Sequence, residues 1–274
     1  MPKRQYSTSV LPSVRSLLSG SMAALSFSVA AHAQKNFQYP EEAMNAFVAA
    51  VDTNNHDAMA RILGANYKQY VPDDLNQNVS DVFLAAWKER HSIALSSKSA
   101  WLEVGESQWR MPIPVVPTNG TWQFDLKAGA AEMQRRKLGR NELGAIAALQ
   151  TLQQAQKEYR QTYGRYDTRL VSEPNARNGL YWPSTDDTSP SPLSDDALAM
   201  TADTPADSAY SGYHFKIMPG AVASTYSIVA WPAEYGVSGA HSFLAKQDGT
   251  ILESFSRLSP DTASTQGIQW RHLQ

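Results

Sequence analysis

Residues 140–163, RNELGAIAALQTLQQAQKEYRQTY, constrain this chain more than any other stretch. Ala145, Leu149, Leu152, Gln156, Tyr159 and Tyr163 recur at steps of three and four, with Leu143 and Ile146 on the flank. Gln150, Gln154, Lys157 and Gln161 fall on the other side. This spacing predicts an amphipathic helix with one face laid on a sheet. Asn141 is a candidate N-cap and Gly164 a candidate C-terminal stop. The chain beyond it is rich in strand patterns that need such a cover.

The leader comes next in weight. Lys3, Arg4 and Arg15 precede the apolar run LLSGSMAALSFSVAA (17–31), and Ala31-His32-Ala33 forms a small-x-small cleavage signal before Gln34. The run is too short, and too rich in Ser and Gly, to hold a bilayer span. Residues 1–33 therefore read as a cleaved signal peptide, and the mature protein as periplasmic. What remains carries 21 basic against 26 acidic residues, a net charge of −5. A nucleic-acid-binding role needs a basic footprint and is not expected. Hydrophobic residues are 42% and charged ones 18% of the 274, a globular balance with room for two domains. There is no cysteine, which excludes disulfides, thiol catalysis, a lipoprotein anchor and Cys-ligated metal sites.

In chain order, FQYPEEAMNAFVAAVDTNNHDAMARIL begins at Phe37. Pro40, Glu41 and Glu42 suit a first helical turn. Ala43, Phe47, Ala50 and Val51 form an apolar stripe, which Asn54-Asn55 interrupts before Met59, Ile62 and Leu63 resume it. A second helix is expected over 80–95, with Phe83, Leu84, Trp87 and His91 near one face. Strands are expected over 100–104, 108–116 and 121–126, with Asn119-Gly120 as a hairpin turn. Pro112 and Pro114 demote the middle one to an edge or bulged position. Further on, strands are expected over 213–218, 225–231, 241–246 and 250–255. Asp248-Gly249 turns the last pair, and Asp261 caps a short closing segment.

Helices followed by a meander of curved strands resemble the NTF2-like cone fold over about residues 37–126. The resemblance implies an open mouth able to bind a ligand or another protein. The strings GRNELGAI (139–146), GLYWP (179–183), GYHFKI (212–217) and WPAEYGVSGAHSF (231–243) stand out together, with PEEAMNAFVAAV (40–51) and WRMPIPVV (109–116) ahead of them. They closely resemble the bacterial domain of unknown function 2950 family. The likeness covers nearly all of the mature chain and implies an exported protein without an assigned activity. QKEYRQTYGRY (156–166), GYHFKI, YSIVAWP (226–232) and SFLAKQDGTI (242–251) more distantly resemble the soluble head of type IV pilins and pseudopilins. The apolar assembly helix of those proteins is missing, and RRK stands ahead of the helix instead. A pilin-like head reused for binding is the implied role.

Candidate chemistry is sparse. Gly236-Val237-Ser238-Gly239-Ala240 lies one residue from a G-x-S-x-G elbow, but a strand pattern follows it and not a helix, so it reads as a connecting turn. Glu89 and His91 are two apart on the expected helix and diverge, so His91 reads as solvated or packed. Arg135, Arg136, Lys137 and Arg140 form a basic run. It is either a solvated junction or an anion site at the start of the helix of 140–163. Asp186, Asp187, Asp195, Asp196, Asp203 and Asp207 lie in an acidic loop over 183–211. They offer oxygen ligands to calcium without EF-hand spacing. Glu234 and Tyr235, with Trp231 and Trp182, form the best polar–aromatic cluster. Glu234 there either satisfies backbone N–H groups or meets a ligand or partner.

The expectation is an α+β protein: an NTF2-like domain over 34–130 and a pilin-head-like domain over 131–274. Its expected function is non-catalytic binding of an envelope protein or a small molecule. Arg140, Asn141, Glu142, Trp182, Trp231, Glu234 and Tyr235 are the candidate contacts. A hydrolase or isomerase using carboxylates and a histidine in the cone is one alternative, and a calcium-stabilised structural module is the other.

Overall fold

A computed structural model describes residues 34–70, 77–183, 190–194, 197, 209–220, 224–258 and 267–273. Among them the chain forms four α-helices and two five-stranded antiparallel sheets, an α+β architecture. The leader, the six loop aspartates and Asp261 lie outside the described residues.

The first half opens with α1 (Pro40–Asp52), which has Pro at its first turn and Glu41 and Glu42 near its positive end. Asn54 takes a left-handed φ of 46° and ends it. Asn55 then caps α2 (His56–Leu63) by accepting the Ala58 N–H at 2.9 Å. A single 3-10 turn (Tyr67–Gln69) precedes α3 (Gln77–Glu89). Strands β1 (His91–Leu95), β2 (Ala100–Val104), β3 (Trp109–Arg110), β4 (Val115–Thr118) and β5 (Thr121–Phe124) complete the sheet. The order is β1-β2-β4-β5, with β3 also on β2. Phe47, Leu63, Leu102, Val115 and Phe124 sit at the heart of the core between helices and sheet.

Two expectations change here. The helix expected to run to residue 95 stops at Glu89. His91–Leu95 instead pairs antiparallel with β2 from His91↔Val104 to Leu95↔Ala100. His91 stacks flat on Trp87 at 3.7 Å, and its Nδ1 lies 2.9 Å from the Trp87 carbonyl, so the ring closes the helix end. The expected strand over 108–116 splits into β3 and β4. Pro112 and Pro114 have no N–H to give a ladder, so the strand breaks after Met111, whose N–H still reaches the Leu102 carbonyl at 2.8 Å.

α4 (Leu126–Tyr163) joins the halves as one helix of 38 residues, about 57 Å long at 1.5 Å per residue. Asp125 caps it by accepting the Ala128 N–H at 2.9 Å, so Asn141 lies mid-helix and is not a cap. Nothing between 126 and 140 breaks the helix, because Ala, Glu, Met, Gln, Arg, Lys and Leu dominate there. Gly164, at φ 72°, ends it in the expected αL conformation.

The second half is a meander: β6 (Tyr213–Pro219), β7 (Tyr226–Pro232), β8 (Ser242–Lys246), β9 (Ile251–Ser254) and β10 (Arg271–His272). Each strand lies beside its neighbour in the chain. Ala145, Leu149, Leu152 and Tyr159 of α4 are buried against Phe215, Ile228, Ala230, Phe243 and Ala245 of the sheet. Each large side chain buried this way contributes about 1.5–3 kcal/mol. Leu143 is 68% exposed and takes no part. The helix end is locked by polar groups. Gln156 Nε2 donates to the Asp167 carbonyl at 2.5 Å, and the Asp167 N–H donates back to Gln156 Oε1 at 3.1 Å. Arg165 pairs with the Asp167 carboxylate at 3.1 Å, and Tyr159 donates to the Arg177 carbonyl at 2.8 Å. A buried glutamine and carboxylate are tolerated only with such partners.

Candidate functional site

The sequence-selected residues gather in part. On α4, Gln134, Asn141 and Glu142 reach across to the loop between β7 and β8. Gln134 Nε2 donates to the carbonyls of Gly236 at 3.1 Å and Val237 at 3.0 Å, and Asn141 Nδ2 donates to the Ser238 carbonyl at 2.8 Å. One oxygen of Glu142 accepts three N–H groups: Ala240 N at 2.9 Å, His241 N at 3.1 Å and His241 Nδ1 at 3.0 Å. The last bond needs a proton on His241 Nδ1, because a carboxylate oxygen only accepts. Tyr213 donates to the His241 carbonyl at 2.9 Å, and burial, with Glu142 nearby, pushes its phenol well above the usual range. The backbones come so close that a Cβ on Gly239 would overlap the Tyr213 hydroxyl. One on Gly212 would meet Asn141 Nδ2 at 2.8 Å.

This node holds a loop in place. Ser238 Oγ accepts the Glu234 N–H at 3.0 Å and donates to the Glu234 carbonyl at 3.1 Å, and a strand follows it. It is a turn hydroxyl, not an elbow nucleophile. Glu234 works through its backbone, its carbonyl also accepting the N–H groups of Val237 and Ser238. The carboxylate that satisfies the loop's N–H groups belongs to Glu142.

The aromatic cluster does not form as a unit. Trp231 packs with Val229 and Leu258 on the outer face of the second sheet, with Tyr235 beside it. Trp182 lies in the core under α4, edge-on to Tyr163 at 6.3 Å. Tyr235 is itself a tie, sharing a 2.6 Å hydrogen bond with Ser242 and accepting the Leu258 N–H at 2.6 Å. Arg140 is exposed on α4. The basic run meets no helix start: α4 is continuous through it, and Arg135 and Arg136 pair with Glu132 at 2.6 and 2.7 Å. No helix N–H groups are free there for an anion.

A pocket whose lining residues the sequence did not mark lies in the first half. It measures about 320 Å³, between α1, α2, α3 and the proline-interrupted segment after β3. Phe47, Leu63, Met111 and Ile113 form its buried wall. Met59 and Phe83 line it from α2 and α3, Trp109 from β3 and Met133 from α4. Three thioethers among these aromatics give an apolar, adaptable lining. Its polar groups are Asn54, His56, Tyr67 and Ser80, with His56 Nδ1 3.2 Å from the Tyr67 hydroxyl. Met59, Met111 and Met133 are far apart in sequence, and each looks there like ordinary core. The pair Pro112 and Pro114 is the one signal that marks the place, since it stops a strand from filling the space.

Fold and pocket together define a two-core α+β protein built around one long helix, with an apolar cavity on the first core. The chain belongs to the family described as Protein of unknown function (DUF2950), whose model matches residues 34–268. Neither a curated protein nor a solved structure matches it. Among the described residues, no helix is long and apolar enough to cross a membrane.

Proposed function

We propose that this is an exported, non-catalytic binding protein of the periplasm that takes a small apolar ligand into the pocket of its first half, used as an NTF2-like cone. The observation that carries this reading is the cavity itself, of ligand size and lined by Phe47, Met59, Leu63, Phe83, Trp109, Met111, Ile113 and Met133. An enzyme would need a base within reach of a polarisable group. Among the described lining residues the candidate base is His56, at hydrogen-bonding distance from Tyr67. The pilin-head-like half then serves as a rigid platform, its loop 234–241 fixed by Glu142. For export, the anchoring of Gln34 gives support: its Nε2 donates to the carbonyls of Ile62 at 3.0 Å and Phe124 at 2.8 Å. Cleavage after Ala33 would therefore leave the new terminus seated on the fold.

Native mass spectrometry of the protein taken from its own envelope tests both parts. The expected mass is that of the chain from Gln34 plus a small organic ligand released by solvent. In titration, N-phenyl-1-naphthylamine should fluoresce on binding, and Met59→Trp, which fills the cavity, should abolish the signal while circular dichroism stays unchanged. An equal signal from Met59→Trp would sink the reading.

A further inference from the structure

The chemistry of the pocket narrows what enters it. No Lys, Arg, Asp or Glu is among its described lining residues. Its polar groups come from the helical elements, with Asn54 and His56 at the α1–α2 break, Tyr67 in the 3-10 turn beside His56, and Ser80 early in α3. The charges next to lining positions in the chain do not favour an anion. Asp52, Asp57 and Asp81, with Lys68, adjoin lining positions in the chain. By Trp109 the charges are already paired, Arg110 with Glu103 at 2.6 Å and Arg136 with Glu132 at 2.7 Å. Arg136 also donates to the Arg110 carbonyl and lies over the Trp109 ring. A carboxylate, phosphate or ammonium drawn in here would lose water without meeting an opposite charge among the described lining residues.

Resting on the binding function proposed above, we infer that the ligand is an uncharged amphiphile. Its apolar body lies against Met111 and Ile113, and a hydroxyl- or amide-type head meets Asn54 and His56. Decanol, one hydroxyl on an alkyl chain, is the simplest molecule of this kind.

Displacement of N-phenyl-1-naphthylamine from the full mature protein tests this with decanol, decanoate and decyltrimethylammonium, equal in chain and different in head. Decanol should bind at least tenfold more tightly than either ion. His56→Leu should weaken decanol about fivefold. Binding of decanoate or of the ammonium within threefold of decanol would overturn the neutral-head assignment. Uptake of the naphthylamine with no displacement by any of the three would overturn the alkyl amphiphile. Failure of the naphthylamine itself to bind would reject the pocket function on which the inference rests.

Discussion

Both halves of this protein lay helices on an antiparallel sheet, yet they are closed in opposite ways. The second core has one helix across it, and polar side chains buried at fixed points tie that helix to the loops: Gln156 and Asp167 at one end, Glu142 and His241 at the other. The first core is covered by three shorter helices, and its sheet is interrupted where Pro112 and Pro114 withhold their donors. Around that break the helices meet the sheet mainly through apolar side chains, and apolar surface tolerates a cavity. The comparison teaches that side-chain hydrogen bonds from the covering helix set register in one half, while apolar packing around a broken strand leaves room in the other.

Overpacking should show the contrast most strongly. Ala245 is completely buried between sheet and helix, so Ala245→Met should cost about 3 kcal/mol. Met59→Phe points into the cavity and should cost less than about 1 kcal/mol. Urea denaturation of the two variants measures both, and equal losses would break the comparison.

Removing the Glu142 carboxylate comes next. Glu142→Ala leaves two half-buried backbone N–H groups and the His241 ring without their acceptor, and should cost about 2 kcal/mol. Glu142→Gln keeps an acceptor oxygen and should lose about half as much. Hydrogen exchange localises the effect, and faster exchange confined to 234–241 would sharpen the account of a loop held by the helix.

Alkaline pH gives the smallest and most graded test. Burial pushes Tyr226 up to about 12, and burial followed by the Asp167 charge raises Tyr159. An unfolded tyrosine titrates near pH 10. These folded-state values lie above the unfolded one, so their contribution is intact below pH 10 and is lost as pH rises from there towards 12. The melting temperature should hold from pH 7 to 9.5 and then fall, with Tyr226→Phe showing a shallower decline. A flat profile to pH 12 would contradict the assignment.

Much of the fold was legible in the sequence. The α4 face, the stop at Gly164, the Asn119-Gly120 and Asp248-Gly249 turns and the positions of β6 to β9 all follow from local periodicity or turn chemistry. Misreadings fell where local signals compete. Trp87 and His91 keep helical spacing across a helix end, and Asn141 mimics a cap inside a helix that Asp125 had already begun. The node was half visible. Asn141 and Glu142 were marked, but the carboxylate chosen to satisfy the loop was the adjacent Glu234 and not Glu142.

What the sequence determined by itself is local: which faces are apolar, where helices stop and where hairpins turn. Those features depend on residues three, four or two positions apart. Tertiary structure alone decided that Glu142 would meet Ala240, 98 residues away, and that three unrelated methionines would share one cavity. Such meetings depend on how whole elements pack, and an apolar side chain carries the same local signal whether it fills a core or lines a space.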